Sequence, residues 1–221
     1  MTLGPLVTLK LATSLDGKIA TAKGESRWIT GPQAREQGHR LRSEHDAVVI
    51  GIGTALADDP ELTVRLEGYQ GRQPARVVFD SHQRLPISSK LVQTARDVPT
   101  VLISTSPLNL ALIDAGVIGV CLKGDRPGIA DAVWQLAQLG KHIGIGLDRL
   151  YIEGGGQLAA SFILSGLVDR LEWFRAPIVL GQEGRSGLGA LHLGSLATAP
   201  RFRRSQIVPL GDDVWERYER M

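Results

Sequence analysis

A carboxylate and three glycines follow an apolar run in the segment LYIEGGGQLAASF of this 221-residue chain. Glu153 precedes Gly154, Gly155 and Gly156, and the glycines open a predicted helix. Glycine lets a backbone approach a phosphate closely, and the free N–H groups at a helix start attract anions. The segment therefore predicts a phosphate-binding loop, with Glu153 placed to hold a polar group of a substrate. A tight turn that packs against a sheet is the alternative interpretation.

A second glycine-rich segment, VVIGIGTALADDPELTVR, again follows an apolar run. Its glycines could admit a nucleotide, to which the Thr54 hydroxyl could donate a hydrogen bond. Asp58 and Asp59 are adjacent carboxylates, but no His or third carboxylate stands at ligand spacing, and we expect no metal site. An Asp-Asp-Pro sequence more often caps a turn.

The third segment, WITGPQAREQGHRLRSEHDAV, predicts a helix from Gln33 to Glu44. Thr30 is expected as its N-cap, Pro32 lies near the first turn, and Gln33 would complete a capping box.

Arg35, His39 and Arg42 share one face of this helix by their spacing. We interpret Arg35 as part of a solvated basic face. Arg42 and Arg65 together could clamp a substrate phosphate, because a planar guanidinium offers paired donors to phosphate oxygens. His39 and His45 could act as acids or bases, but neither adjoins a Ser or Cys motif, so no hydrolase triad is predicted.

Short apolar runs alternate with helical patterns along the chain, which predicts an α/β layered fold with a mostly parallel sheet. Helices are also predicted over 129–139 and 156–165. The end of the chain predicts an antiparallel edge hairpin around Ile207 and Val208. The predicted strands span 6–11, 47–52, 75–80, 100–104, 116–122, 149–153 and 170–179.

Composition limits the function classes. The chain is 43% hydrophobic and 22% charged, with a formal net charge of +2 and interspersed charge signs, so nucleic acid is not expected as a partner.

No linker separates domains, and we expect one domain over 1–221. Cys121 is the only cysteine, expected in the core, which fits a reducing compartment. With neither a signal core nor a membrane-length apolar run, we expect a cytoplasmic protein without a membrane partner.

These segments together resemble the reductase domain of riboflavin biosynthesis, which forms the C-terminal half of the bifunctional pyrimidine deaminase/reductase. The resemblance rests on LKLATSLDGKIATAKGESRWITGPQAR, HDAVVIGIGTALADDPELTVR, PARVVFDS and IEGGGQLAASF, and covers most of the chain. It implies a dihydrofolate-reductase-like three-layer sandwich and NADPH-dependent reduction of 5-amino-6-(5-phosphoribosylamino)uracil to its ribitylamino product. The H-x-E and P-C-x-x-C zinc pattern of a deaminase is absent from the sequence, so deamination would need a separate protein or another half of a longer product.

The resemblance also implies site residues. Lys10 and Asp58 are the expected candidates for the catalytic acid, and solvent is a third. The substrate contacts it implies are Ser26, Arg42, Leu62, Arg65 and Glu153. The cofactor contacts it implies are Ala12, Trp28, Thr54, Asp58, Ser81, Gly155, Gly156, Gln157, Leu158, Ala159, Ala160 and Ser161.

Trp28 ends the flexible segment SLDGKIATAKGESRWITG, and we expect it to cover the nicotinamide and exclude water. A hydrophobic plug before the helix is the alternative. After Asp80, the side chains of Ser81, His82 and Arg84 could bind a 2′-phosphate, which favours NADPH over NADH.

Two other functions remain open at this point. The chain could reduce another pterin or pyrimidine with NADPH, or it could bind NADPH without catalysis, as a sensor or a partner of a deaminase. The resemblance also implies a homodimer, for which the apolar strand 205–210 offers a pairing surface.

Overall fold

The computed structural model describes residues 4–221, which form a sheet covered by helices on both faces. The helices are Pro32–Ser43 (α1), Ile52–Asp58 (α2), Lys90–Gln93 (α3), Leu110–Asp114 (α4), Ile129–Ile143 (α5) and Gly156–Leu164 (α6). The strands are Leu6–Thr13 (β1), Lys18–Ala20 (β2), Ala47–Gly51 (β3), Ala75–Phe79 (β4), Thr100–Ser104 (β5), Ile118–Cys121 (β6), Arg149–Ile152 (β7), Arg170–Arg175 (β8), Arg185–Ser186 (β9), Phe202–Leu210 (β10) and Asp213–Arg220 (β11).

Nine strands form the main sheet, in the order β10-β11-β8-β1-β7-β3-β4-β5-β6. Every pairing from β8 to β6 is parallel. The C-terminal hairpin β10–β11 adds to this sheet with antiparallel pairings, as the sequence predicts. The two short strands β2 and β9 pair separately.

The helices bury apolar side chains on the two faces of the sheet. On one face, α5 and α6 pack against side chains such as Val7, Leu9 and Leu150. On the other face, α1 to α4 pack against side chains such as Ile50 and Tyr151. Strands without polar alternation are therefore covered on both sides, and the predicted three-layer α/β architecture is confirmed.

Several local expectations were wrong. The N-cap of α1 is Gly31 rather than Thr30, and the N-cap residue supplies no side-chain hydrogen bond to the first turn, so the Gln33 capping box does not form. Pro32 does occupy the first turn. Strand β8 ends at Arg175 rather than at position 179, because Pro177 has no N–H to donate to a ladder. Cys121 is exposed rather than in the core, since it lies on the edge strand β6.

Candidate functional site

The candidate site lies at the edge of the sheet where the parallel strands end. Gly51 ends β3, and Asp80 and Glu153 directly follow β4 and β7. Because carboxyl ends of parallel strands meet at one edge, the two glycine-rich segments and the segment that ends at Asp80 converge there. This is the edge at which open α/β sheets bind ligands.

A cavity of about 150 Å³ opens at this edge, between α1 and the sheet. Trp28 and Phe174 line it with aromatic surface. Its charged and titratable lining residues are Lys10, Arg35, His39, Arg42, Arg65 and Glu153. Three of the predicted substrate contacts, Arg42, Arg65 and Glu153, are therefore brought together, and we name this cavity the cationic cleft.

A larger cavity of about 290 Å³ lies at the opposite edge, near the amino ends of β1 and β7. Its walls include Pro5, Trp134 and Leu167, with Lys141 and Asp148 among its charged residues. The cationic cleft is the better candidate because several charged groups converge in it beside the glycine loops.

Arg42 and Glu153 form a bidentate ion pair in the cationic cleft. Arg42 Nε and Nη2 donate to the two carboxylate oxygens over 2.8 and 3.0 Å. Arg42 Nη1 donates to the Thr63 carbonyl over 2.6 Å. The backbone N–H of Glu153 continues the ladder by donating to the Val49 carbonyl. Arg42 therefore orients the carboxylate, and three of its five N–H donors already have protein partners.

The charges of the cleft act on one another. Burial would raise the pKa of Glu153, but Arg42 and Lys10 outweigh it, and the pKa of this carboxyl is lowered. Burial lowers the pKa of Lys10, a shift that Glu153 opposes and Arg42 reinforces. Lys10 Nζ lies 5.8 Å from the centre of the Phe174 ring. The cleft thus combines an ionised Glu153 with a lysine that releases its proton more readily than an exposed one.

Trp28 and Arg35 form the outer wall of the cleft. The Arg35 guanidinium lies 4.3 Å from the centre of the Trp28 ring, within cation–π range, and donates to the Thr30 carbonyl. Assigning Arg35 to a solvated face was therefore wrong. Trp28 is 66% exposed, which excludes the hydrophobic-plug interpretation and leaves its ring facing the cleft entrance.

The glycine loop after Glu153 adjoins the start of α2. The Gly155 N–H donates to the Thr54 hydroxyl over 3.0 Å, and Gly155 is the N-cap of α6. A Cβ on Gly154 would lie 3.0 Å from the Gly51 nitrogen, and one on Gly156 would lie 2.7 Å from the Ser186 carbonyl oxygen. Close packing therefore explains Gly154 and Gly156, while Gly155 is the glycine with space beside it.

The predicted cofactor segment continues along α6 with mixed exposure. Gln157 and Ser161 are exposed, and the Ser161 hydroxyl donates to the Gln157 carbonyl. Leu158, Ala159 and Ala160 are buried, so their side chains belong to the core rather than to a binding surface.

Asp80 is buried at the end of β4. Its Oδ2 accepts the Leu85 N–H over 2.8 Å, and Arg84 Nε lies 4.0 Å from Oδ1. Ser81 is half-buried, and its carbonyl accepts both the N–H and the hydroxyl of Thr105. Asp80 thus stabilises its own loop, and its carboxylate is not presented to a ribose.

Thr54, Ser81 and the segment 155–161 lie outside the cavity lining, and so do four further predicted site residues. Ser26 and Asp58 are exposed, in the loop before Trp28 and at the last residue of α2. Ala12 is partly buried against the core. The Leu62 side chain is buried, and its φ of 58° lies in the left-handed region, so its backbone is the part able to reach a ligand.

Sequence reasoning considered His39 only as a possible acid or base, not as a binding residue, and it did not single out Phe174. The shared face of Arg35, His39 and Arg42 was the available signal for His39. Phe174 faces the cleft from β8, and an apolar residue in an apolar strand carries no such signal.

Residues 4–221 contain no group of three or more His, Cys, Asp or Glu side chains arranged to hold a metal ion. None of the helices in that range combines the length and apolar character needed to cross a membrane.

Residues 5–215 match the model of the RibD C-terminal domain. The chain belongs to this family. It is 36% identical over 219 residues to the 2,5-diamino-6-ribosylamino-4(3H)-pyrimidinone 5′-phosphate reductase of Methanothermobacter thermautotrophicus, with 97% of each protein covered. It is 36% identical over 221 residues to the riboflavin biosynthesis protein RibD of Escherichia coli, with 95% of this chain and 58% of that protein covered. The chain thus spans little more than half the length of such bacterial relatives.

Solved structures agree with this placement in the RibD family. Acinetobacter baumannii RibD superposes with a TM-score of 0.87 at 31% identity, covering 100% of this chain and 59% of that one. The dihydrofolate reductase of Enterococcus faecalis superposes with a TM-score of 0.52 at 13% identity, covering 97% and 96% of the two chains. The dihydrofolate-reductase-like fold expected from the sequence is confirmed.

Proposed function

We propose that the protein catalyses NADPH-dependent reduction of the ribosyl group of 5-amino-6-(5-phosphoribosylamino)uracil to the ribitylamino product. The observation that carries this proposal is the fixed Glu153 carboxylate in a cleft with Lys10, Arg42 and Arg65, next to the Gly155–Thr54 contact. Glu153 can accept hydrogen bonds from the pyrimidine ring or the ribose, and the cations beside it can bind a phosphate. The loop proposed to bind the nucleotide lies next to them.

Each cleft residue has a defined task under this proposal. Glu153, held by Arg42, accepts hydrogen bonds from the pyrimidine or ribose and fixes its orientation. Arg65 is exposed and presents its guanidinium to the 5′-phosphate. The Leu62 backbone and the Ser26 hydroxyl extend the substrate contacts from the two adjacent loops.

The proton that accompanies reduction is assigned to Lys10. Its lowered pKa, caused first by burial, makes its ammonium a better proton donor than an exposed lysine. Asp58 is the second candidate from the sequence, but it lies outside the cavity lining at the exposed end of α2.

The residues at the strand ends fit a dinucleotide. Thr54 offers its hydroxyl to a phosphate, and the N-terminus of α6 offers the positive end of a helix. Gly155 leaves open space beside its backbone, into which a phosphate could fit. Ala12 and Asp58 complete the cofactor contacts that we propose along this edge, and Trp28 shields the nicotinamide from water. When bound, NADPH would supply the hydride that reduces the ribosyl C1′ carbon.

Cofactor choice depends on the loop after β4. The buried Asp80 carboxylate accepts the Leu85 N–H, so it does not compete for a ribose 2′-hydroxyl. Ser81, His82 and Arg84 follow it and provide donors for a 2′-phosphate. This arrangement supports NADPH over NADH.

A diaminopyrimidinone phosphate is a close alternative to the uracil substrate. The reductase of Methanothermobacter thermautotrophicus, 97% of which is covered by the match, is named for such a compound. The two pyrimidines differ in one ring substituent and share the phosphoribosyl group. In the proposed pathway step a separate deaminase, or a further domain, supplies the uracil form, and the protein acts as a cytoplasmic homodimer.

The decisive experiment follows NADPH absorbance with each of the two pyrimidine phosphates, with NADH in parallel. We expect turnover with NADPH, and roughly 10- to 100-fold loss of kcat/KM in R65A. The exposed Arg40 on α1 provides a matched control, and R40A should behave as wild type. Reduction of only unphosphorylated pterins or pyrimidines would contradict the proposal, as would NADPH binding without turnover.

A further inference from the structure

His39 lines the cationic cleft beside Arg65. It projects from α1 into the cavity, and its Nδ1 accepts the backbone N–H of Arg65 over 3.3 Å. A ring nitrogen that accepts a hydrogen bond carries no proton, so the neutral ring has its proton on Nε2. The contact therefore fixes the tautomer of His39.

Charged groups from every neighbouring element face this ring. They are Lys10 of β1, Arg35 and Arg42 of α1, Arg65 of the loop after α2, and Glu153 after β7. Burial, followed by the charges of Arg42 and Arg65, lowers the pKa of His39 to about 4. Near neutral pH the imidazole is thus uncharged and its Nδ1 remains an acceptor.

In the described part of the chain, two of the cleft residues with donors that lack a protein acceptor are His39 and Arg65. Arg42 uses Nε, Nη1 and Nη2 on Glu153 and the Thr63 carbonyl. Among residues 4–221, neither His39 Nε2 nor the Arg65 guanidinium donates to a protein acceptor. The two groups lie close together, because the His39 ring accepts the Arg65 backbone N–H at its other nitrogen, Nδ1.

We propose that His39 is a substrate-binding residue whose Nε2–H, together with the Arg65 guanidinium, binds the phosphate group of the substrate. Its Nδ1 acts at the same time as the anchor of the Arg65 backbone. This inference rests on the proposed function and adds to it a second, uncharged phosphate donor. An uncharged donor suits this position because four cations already lie around the ring and another positive charge there would be repelled.

Two substitutions separate the two ends of the ring. In H39Q the amide nitrogen extends toward the place of Nε2, so a phosphate donor is kept and the Nδ1 acceptor is lost. In H39N the shorter amide keeps an acceptor for the Arg65 N–H and loses the distal donor. We expect KM for the phosphorylated substrate to rise about 10- to 100-fold in H39N with kcat little changed, and H39Q to recover most of this loss. Recovery by H39N but not H39Q would overturn the proposal, because His39 would then act only through Arg65.

A measurement without turnover tests His39 separately. Heteronuclear NMR of the histidine ring nitrogens reports the tautomer, and H39Q identifies the signal among the five histidines. We expect an Nε2–H tautomer near neutral pH and a shift of Nε2 when inorganic phosphate is added, with the same response in the control H142Q, whose residue is exposed at the end of α5. An Nδ1–H tautomer, or no Nε2 response to phosphate, would overturn the proposal. Failure of wild-type turnover would instead count against the proposed reduction.

Discussion

The Arg42 guanidinium and the Glu153 carboxylate face each other in a bidentate pair, with N–O distances of 2.8 and 3.0 Å. The pair joins α1 to the end of β7, and 11% and 14% of the two side chains are exposed. A pair so far removed from water depends on both partners, because either charge alone would be buried without compensation.

Removing the arginine should destabilise the fold. We expect R42M to lower the free energy of unfolding by about 3 kcal/mol, because Glu153 loses its main partner and keeps only the charge of Lys10. Urea unfolding monitored by circular dichroism measures this change. R40A breaks the exposed Arg40–Glu36 pair on the same helix and should cost at most about 0.5 kcal/mol. Equal losses in the two variants would contradict the buried-pair interpretation.

Acid should weaken the fold partly through His45. The ring is buried, with Nδ1 2.6 Å from the Leu41 carbonyl and Nε2 2.9 Å from the Thr8 hydroxyl. Burial lowers its pKa from 6.5, although the Leu41 hydrogen bond opposes the shift. The unfolded chain therefore binds a proton that the folded one does not, and stability is lost as the pH falls below about 6.5.

The variant H45Q should show a shallower loss of unfolding free energy between about pH 7 and pH 5. Denaturant titrations at several pH values measure the slope, and the exposed-site variant H142Q should keep that of the wild type. An unchanged slope in H45Q would place the acid sensitivity elsewhere.

Asp213 should stabilise the start of α1. This buried carboxylate of β11 accepts the Gly31 N–H over 2.6 Å, at a helix N-terminus without a side-chain cap of its own. We expect D213A to lower the free energy of unfolding by about 1 to 3 kcal/mol, since the Gly31 donor loses its charged acceptor. The neighbouring Asp212 is exposed, so thermal melts of D212A should match the wild type. A similar loss of stability in both variants would show that stability depends on the turn before β11 rather than on the contact between Asp213 and Gly31.

The three consecutive glycines should respond differently to alanine. A Cβ at Gly154 or Gly156 would come within 2.8 Å of Leu158 or 2.7 Å of Ser186, so G154A and G156A should each lose about 1 to 3 kcal/mol of stability. At Gly155 the nearest atom is the Thr54 hydroxyl oxygen at 3.4 Å, and G155A should fold normally.

NADPH binding by these alanine variants then separates the two interpretations of the loop. Fluorescence titration of G155A should give weaker NADPH binding, because the added methyl group stands where a phosphate would approach. Unchanged affinity in stable G155A would favour the tight-turn interpretation.

The layered fold was predictable because the buried parallel strands are continuous apolar runs, as in VVIG and LYI. The short helices α2, α3 and α4, with seven, four and five residues, were not predicted, because so few turns show no clear periodicity. Motif spacing also located Arg42, Arg65 and Glu153. It could not show that Arg42 would pair with Glu153, or that Asp213 would replace Thr30 at the helix start, since these contacts join residues 111 and 182 positions apart.

Strand β1 lies inside the sheet, where its two neighbours are β7 and β8. Its pairing partners begin at Arg149 and end at Arg175, so β1 has no partner in the sheet until the segment 149–175 has also been synthesised. The closure of such a long loop carries an entropic cost and slows folding. The apolar side chains of Val7, Leu9 and Leu11 are consequently open to chaperones, or to strands of other nascent chains, until β7 and β8 have been made.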